Sequence, residues 1–361
     1  MIHQNNFAAL RIFAALCVVL SHSWSLTGIH PELLVRLSNG HLNGGTLGVL
    51  MFFAMSGFLV TESMLRTQST GAFLEARMLR LFPALAACLL FGIVLGGVVT
   101  TLPSAEYWSS PQTWFYFTKN MLLDTQFQLP GAFATVPFPN VVNGSLWTLP
   151  AEWTMYCMIA VLGLIGVMGS REATSAVVVA GIAALYVAPE LARKLPLSIG
   201  PDLAVSMQAF MVGMLFQLNK TRVKWSVIWV VLLWALAVLK AHQPGLGPFV
   251  VVLAIAYTTL WFALAAPVKL YKADAWGDPS YGLYVYAFPI QQSLAYAYPG
   301  LGVLRMALLS VALSMLLAYA SWWVIEKPAL DRKGRLFFRR RSAPSVARST
   351  PAVAVESPSN F

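Results

Sequence analysis

Ten apolar runs recur along this chain, near 7–27, 45–65, 81–101, 145–168, 173–188, 199–218, 225–241, 247–268, 279–298 and 303–325. A helix needs about 20 apolar residues to cross the hydrocarbon core of a bilayer. In that solvent every backbone N–H and C=O must be satisfied inside the structure, which leaves helices for runs of this length. The fold expected is therefore all-α, a polytopic membrane helix bundle of about ten transmembrane helices. A content of 58% hydrophobic and only 11% charged residues, with a mean hydropathy of +0.68, agrees with a chain whose solvent is mostly lipid.

Charge sets the expected orientation. With the N-terminus inside, Arg66, Arg77, Arg80, Arg171, Lys220, Arg222, Lys224, Lys269, Lys272, Lys327 and the stretch "DRKGRLFFRRR" are cytoplasmic, whereas the outside keeps Arg36, Lys119, Arg193, Lys194, Lys240 and Arg305. That asymmetry predicts N-in and C-in. The net charge of +10 is thereby explained without nucleic acid, since no aromatic and basic single-strand platform accompanies it. Residues 1–330 read as one transmembrane domain and 331–361 as a tail, basic and then disordered, since "SAPSVARSTPAVAVESPSNF" lacks periodicity and large apolar groups. The first span carries Arg11 and His22 and lacks a cleavage site, so it reads as a retained helix and not a signal peptide. Cys17, Cys88 and Cys157 lie in apolar runs without paired spacing, which indicates packing rather than a disulfide framework or a metal site.

Chemistry is expected where charge enters these runs. Arg11 and His22 are eleven residues apart, a spacing that returns both to nearly one face of a helix, roughly 16 Å apart along its axis. An ionisable group near the bilayer centre costs at least about 2.5 kcal/mol, so the pair should face the bundle interior. In "LGVLMFFAMSGFLVTE", Gly48, Ser56 and Gly57 suit close helix approach, and Glu62 reads as solvated at the span's end. In "FLEARMLRLFP", Arg77 and Arg80 sit on one helix face, a fork pair suited to phosphate groups or to lipid headgroups. "NGSLWTLPAEWTMY" delivers Glu152 into what reads as the outer part of the fourth span, making it the expected acidic partner of His22. In "WGDPSYGLYVYAFPIQQ", Asp278-Pro279-Ser280 supplies a helix start, while Gln291 and Gln292 suggest a polar cavity. The loop at 102–144, rich in Trp, Tyr, Phe and Pro, is expected to fold over the membrane surface.

Taken in order, these segments resemble the acyltransferase 3 family. The resemblance runs from about residue 5 to 330 and rests on Arg11 and His22, "FFAMSGFL", Arg77, Arg80 and Pro83, "SLWTLPAEW", "SYGLYVYAFP" and "EKP". Two departures stand out: Ala287, where many members carry histidine, and Ala76, where a further basic residue is frequent. The resemblance implies transfer of an acyl group, usually acetyl from acetyl-CoA as co-substrate with no tightly bound cofactor, to a hydroxyl of an extracytoplasmic or lipid-linked carbohydrate. It implies a bacterial inner-membrane protein whose partners are acyl-CoA, the carbohydrate acceptor and lipid. On this reading His22 is the general base and Glu152 orients it or binds sugar hydroxyls. Arg11, Arg77 and Arg80 hold the donor, and Trp147, Ser145 and Tyr281 meet the acceptor. The competing expectation is a transporter or flippase for a glycan, because midplane ionisable groups and a basic inner funnel also suit passage. No internal repeat supports that alternative.

Overall fold

The structure, a computed structural model, describes residues 5–187, 201–240, 246–270, 273 and 275–334. The expectations for Arg193, Lys194, Lys272 and residues 335–361 of the tail lie outside the described residues. Helices dominate: α1 (Phe7–Leu26), α2 (Leu33–Leu37), α3 (Gly44–Thr67), α4 (Thr70–Val99), α5 (Ser104–Ser109), α6 (Pro111–Met121), α7 (Leu149–Leu164), α8 (Arg171–Val187), α9 (Pro201–Leu218), α10 (Val227–Lys240), α11 (Leu246–Leu264), α12 (Ser280–Ala297), α13 (Val303–Ser321) and α14 (Lys327–Leu330). Each expected run thus holds a helix, and five of the described helices are long and apolar enough to cross a membrane by themselves. The protein is an all-α, polytopic membrane-helix bundle.

Local chemistry fixes the helix ends. The Asn43 side chain accepts from the Thr46 N–H at 2.7 Å to start α3, and Ser69 does the same for Ala72 at 3.4 Å to start α4. Asn6, just ahead of α1, donates to the carbonyls of Phe262 and Val268 at 2.9 and 2.8 Å and accepts from the Leu270 N–H at 2.7 Å. A single amide side chain therefore pins the start of α1 to the end of α11.

Small residues set the spacing of the central helices. A Cβ at Gly57 of α3 would stand 1.9 Å from the Phe210 carbonyl oxygen of α9, and one at Gly48 would stand 2.4 Å from the Ala14 carbonyl oxygen of α1. The small-residue reading of the second span is correct, because backbones here approach too closely for any side chain. Replacing Gly57 by Leu is expected to separate α3 from α9 and to abolish a monodisperse peak in detergent size exclusion, whereas Leu59→Ala at the same depth should preserve it.

Helix α12 is the polar axis. Its glutamines do not open a cavity as expected; they tie elements together. Gln291 donates to the Val19 carbonyl at 2.8 Å and to the Ser23 hydroxyl at 2.9 Å, both on α1. Gln292 donates to the carbonyls of Phe138 and Val141 at 2.7 and 2.6 Å. Those bonds draw the long aromatic loop inward. Its first part forms α5 and α6, held to α4 by the buried Tyr107 hydroxyl donating to the Ile93 carbonyl at 2.7 Å. Its last part dips into the bundle: Asn143 is fully buried and donates to the Val285 carbonyl at 2.9 Å, in the middle of α12. A 3₁₀ turn over Gly144–Thr148 follows, and α7 starts only at Leu149. The fourth expected span therefore begins deep within the protein, because Asn143 and Gln292 satisfy a re-entrant backbone that lipid could not.

Candidate functional site

The re-entrant turn decides where Glu152 lies. Helix α7 is short, so Glu152 in its first turn reaches a cavity of about 170 Å³ at the Arg11 end of α1, lined also by Ser56, Arg77, Arg80, Tyr156 and Tyr281. Glu152 accepts a short hydrogen bond from the Tyr156 hydroxyl. It does not meet His22. The expected pairing is thus corrected: the turn sinks the helix start from the outer end of the bundle to the arginine side.

Three arginines border this cavity, and carboxylates sort them. Arg80 donates to Asp278 at 2.9 Å and to Glu326 at 3.3 Å, and Arg11 pairs with Asp278 at 3.1 Å. Glu326 is almost wholly buried and sits at the end of a π-helical turn, Trp322–Glu326, which re-aims its side chain inward. Ser321 donates to it at 3.2 Å. Burial pushes the Asp278 carboxyl up, but the Arg80 and Arg11 guanidiniums and the Ser280 hydroxyl and N–H outweigh it, holding it at about 2. Two arginines and two carboxylates balance in this knot, which ties α1, α4, α12 and the end of α13 together. Arg77 stands apart. Its guanidinium lies 5.9 Å from the ring centres of Phe73 and Tyr156, its buried Nε has no hydrogen-bond partner, and no carboxylate among the described residues forms an ion pair with it. The fork pair expected from sequence is therefore divided between a paired arginine and an unpaired one. Ala76, just before Arg77, is buried and absent from the cavity wall.

His22 lines a second, larger cavity of about 760 Å³ toward the other end of α1, with Trp147, Glu32, His30, His41 and Asp202 also on its wall. Arg11 and His22 are thus on one helix but in different chambers. The imidazole packs edge-on against Phe288, with ring centres 5.0 Å apart, and its buried Nδ1 has no hydrogen-bond partner. Glu32, on the same wall, accepts from the Ser21 hydroxyl at 2.5 Å and the Gly44 N–H at 2.7 Å. It staples the loop after α1 to the start of α3. Val49 and Tyr284 line both cavities, so the chambers abut there.

The residues expected at the acceptor separate. Trp147 is on the histidine cavity. Tyr281 is not; it lines the arginine cavity, donates to the Leu81 carbonyl at 3.1 Å and lies 5.8 Å from the Arg80 guanidinium. Ser145 is buried in the re-entrant turn, its hydroxyl unpaired and its carbonyl accepting from Tyr284 at 2.9 Å. Ala287 packs with Ala15, Val19, Leu283 and Ala318, away from both chambers.

The sequence profile of an acyltransferase domain family matches residues 5–327. This chain belongs to the acyltransferase 3 family. Among the acyltransferase 3 protein's relatives, an "O-acetyl transferase" of Shigella phage Sf6 is 28% identical over 347 residues, covering 91% of this chain and 97% of the relative. "Nodulation protein 10" of Rhizobium leguminosarum bv. viciae is 29% identical over 374 residues, covering 94% and 97%. No solved structure matches at a significant level. The acyltransferase 3 chain is thus a membrane-embedded protein of an O-acyltransferase family. Sequence reasoning did not single out Glu32 or Tyr156, noted Tyr284 only as one polar group of its span, and took Asp278 and Glu326 for boundary residues. For Asp278 a signal existed: it is a carboxylate beside a span that contains no lysine or arginine, and Arg80 meets it from another helix.

Proposed function

We propose that this protein transfers an acetyl group from acetyl-CoA to a hydroxyl of a cell-surface or lipid-linked carbohydrate, across a bacterial inner membrane spanned about ten times with both termini cytoplasmic. The observation that carries this reading is the pair of abutting chambers, one bordered by arginines and the other by an imidazole with a free ring nitrogen. A thioester donor is anionic at one end and electrophilic at the other. The cavity of about 170 Å³ is smaller than the usual few hundred Å³ of a pocket enclosing a whole small molecule. It admits the pantetheine arm, with the phosphates left at its mouth on the cytoplasmic side. Arg77 is the cation available to them, because Arg80 and Arg11 are committed to Asp278 and Glu326.

On this reading the acceptor hydroxyl enters the histidine cavity, where Trp147 offers an aromatic face to a sugar ring. His22 accepts the hydroxyl proton as the oxygen attacks the thioester carbonyl carbon. The C–S bond then breaks, and the CoA thiolate takes up a proton. Glu152, held by Tyr156, belongs to the donor side and shapes the field around Arg77. The name of the Shigella phage Sf6 relative supports the acetyl and oxygen parts of the proposal. The test uses purified protein in lipid vesicles with radiolabelled acetyl-CoA and mixed cell-envelope glycans. Label is expected in glycan with release of CoA. Absence of both acetyl-CoA binding and label transfer would overturn the reading in favour of transport.

A further inference from the structure

We propose that this enzyme selects its acyl group by size where the two chambers meet, with Val49, Phe52 and Tyr284 passing the two-carbon acetyl group and excluding longer chains. The inference rests on the acyl-transfer reading and adds the determinant of donor specificity. Reaction between a thioester in the arginine cavity and a hydroxyl beside His22 requires the acyl carbon to reach the boundary between them. Val49 and Tyr284 are the aliphatic and aromatic walls common to both sides. Each is nearly buried, at 6% and 8% exposure, so little free space surrounds them.

These walls are held stiffly. The Tyr284 hydroxyl donates to the Ser145 carbonyl at 2.9 Å and shares a hydrogen bond with the Thr148 hydroxyl at 2.8 Å, so both ends of its ring are fixed, one by α12 and one by the re-entrant turn. Phe52, on the arginine-cavity side, packs edge-on against that ring with centres 5.8 Å apart. Val49 is β-branched and within α3, where one rotamer dominates, so it cannot swing aside as a leucine or methionine would. Added methylenes in a close-packed space force neighbours off their rotamers, and one methylene in an apolar pocket typically changes specificity by about 10- to 200-fold. A butyryl group, two methylenes longer than acetyl, must therefore be rejected strongly at a boundary built this way.

The experiment measures kcat/KM for radiolabelled acetyl-, propionyl- and butyryl-CoA with mixed cell-envelope glycans. Unmodified enzyme is expected to prefer acetyl over butyryl by at least about tenfold. Val49→Ala should raise the butyryl to acetyl ratio by about tenfold while acetyl transfer continues. Tyr284→Phe, which frees the ring from the turn without changing its size, should shift the ratio in the same direction, and Val49→Ile should shift it the other way. An unmodified enzyme that takes butyryl as readily as acetyl overturns the proposal. So does an unchanged ratio in Val49→Ala and Tyr284→Phe with acetyl transfer intact. Failure of the unmodified enzyme to transfer any acyl group would instead remove the underlying reading, which separates the two failures. Should Val49→Ala not survive size exclusion, the ratios in Tyr284→Phe and Val49→Ile decide.

Discussion

His22→Ala is expected to lower acetyl transfer by about 10²- to 10⁴-fold while leaving membrane insertion and acetyl-CoA binding unchanged. The magnitude is that of removing a positioned general base. The selectivity of the effect follows from the surroundings of the ring. Its buried Nδ1 has no hydrogen-bond partner to strand, and the loss from the core is an edge contact with Phe288. The donor chamber is also unaffected, since His22 does not line it. His30 and His41 sit on the same chamber but are exposed on its rim, so neither is placed to replace a base at depth. The check is a single-turnover assay of label transfer beside equilibrium binding of acetyl-CoA. Equal loss of binding and turnover would point to a collapsed bundle, and normal turnover would remove His22 from the chemistry.

The position of His22 was legible because a lone ionisable residue in an apolar run has few tolerable places, and the helix period supplied the rest. Fold class, the Gly57 and Gly48 contacts and the arginine face were legible for similar reasons, each depending on one helix and its immediate neighbour. What misled was depth. Glu152 lies only seven residues after a turn-forming Asn-Gly-Ser, and a span that starts at such a turn is read as starting at the membrane surface. Asn143 and Gln292 reverse that reading by satisfying backbone groups in the interior, a tertiary effect between segments about 150 residues apart. Tyr281 shows a related limit: its motif places it on α12 beside Tyr284, but the period puts one ring against Arg80 and the other on the boundary between chambers. The carboxylates of the arginine knot were hidden for a third reason. Asp278 and Glu326 look like ordinary helix-boundary residues along the chain, and only the packing of α4 against α12 and the π-helical turn gives them a common partner.

Arg80→Met and Arg77→Met are expected to fail in opposite ways, although the two arginines are three residues apart on one helix. Removing Arg80 strands Glu326, buried at 1% exposure, and takes one of two guanidiniums from Asp278. Breaking one side of a buried pair typically costs about 3–5 kcal/mol, because the remaining charge is left without compensation. The measurement is thermal unfolding of the detergent-solubilised protein, where Arg80→Met should fall far below the unmodified chain. Adding Glu326→Gln should recover much of the loss, since it removes the carboxylate left without a counter-charge and keeps the Arg11–Asp278 pair whole. Arg77 has no such partner to strand, so Arg77→Met should unfold close to the unmodified protein. Its cost should appear instead in the donor: hydrogen bonds to a charged group contribute roughly 1.5–3 kcal/mol, which corresponds to an increase in KM for acetyl-CoA of about 10- to 100-fold. KM for the glycan acceptor should not change, because Arg77 lies on the chamber away from Trp147 and His22. If Arg80→Met unfolds normally and raises the acetyl-CoA KM as Arg77→Met does, the two arginines act as a fork on phosphate, and the knot with Asp278 and Glu326 gives way to the donor during the reaction.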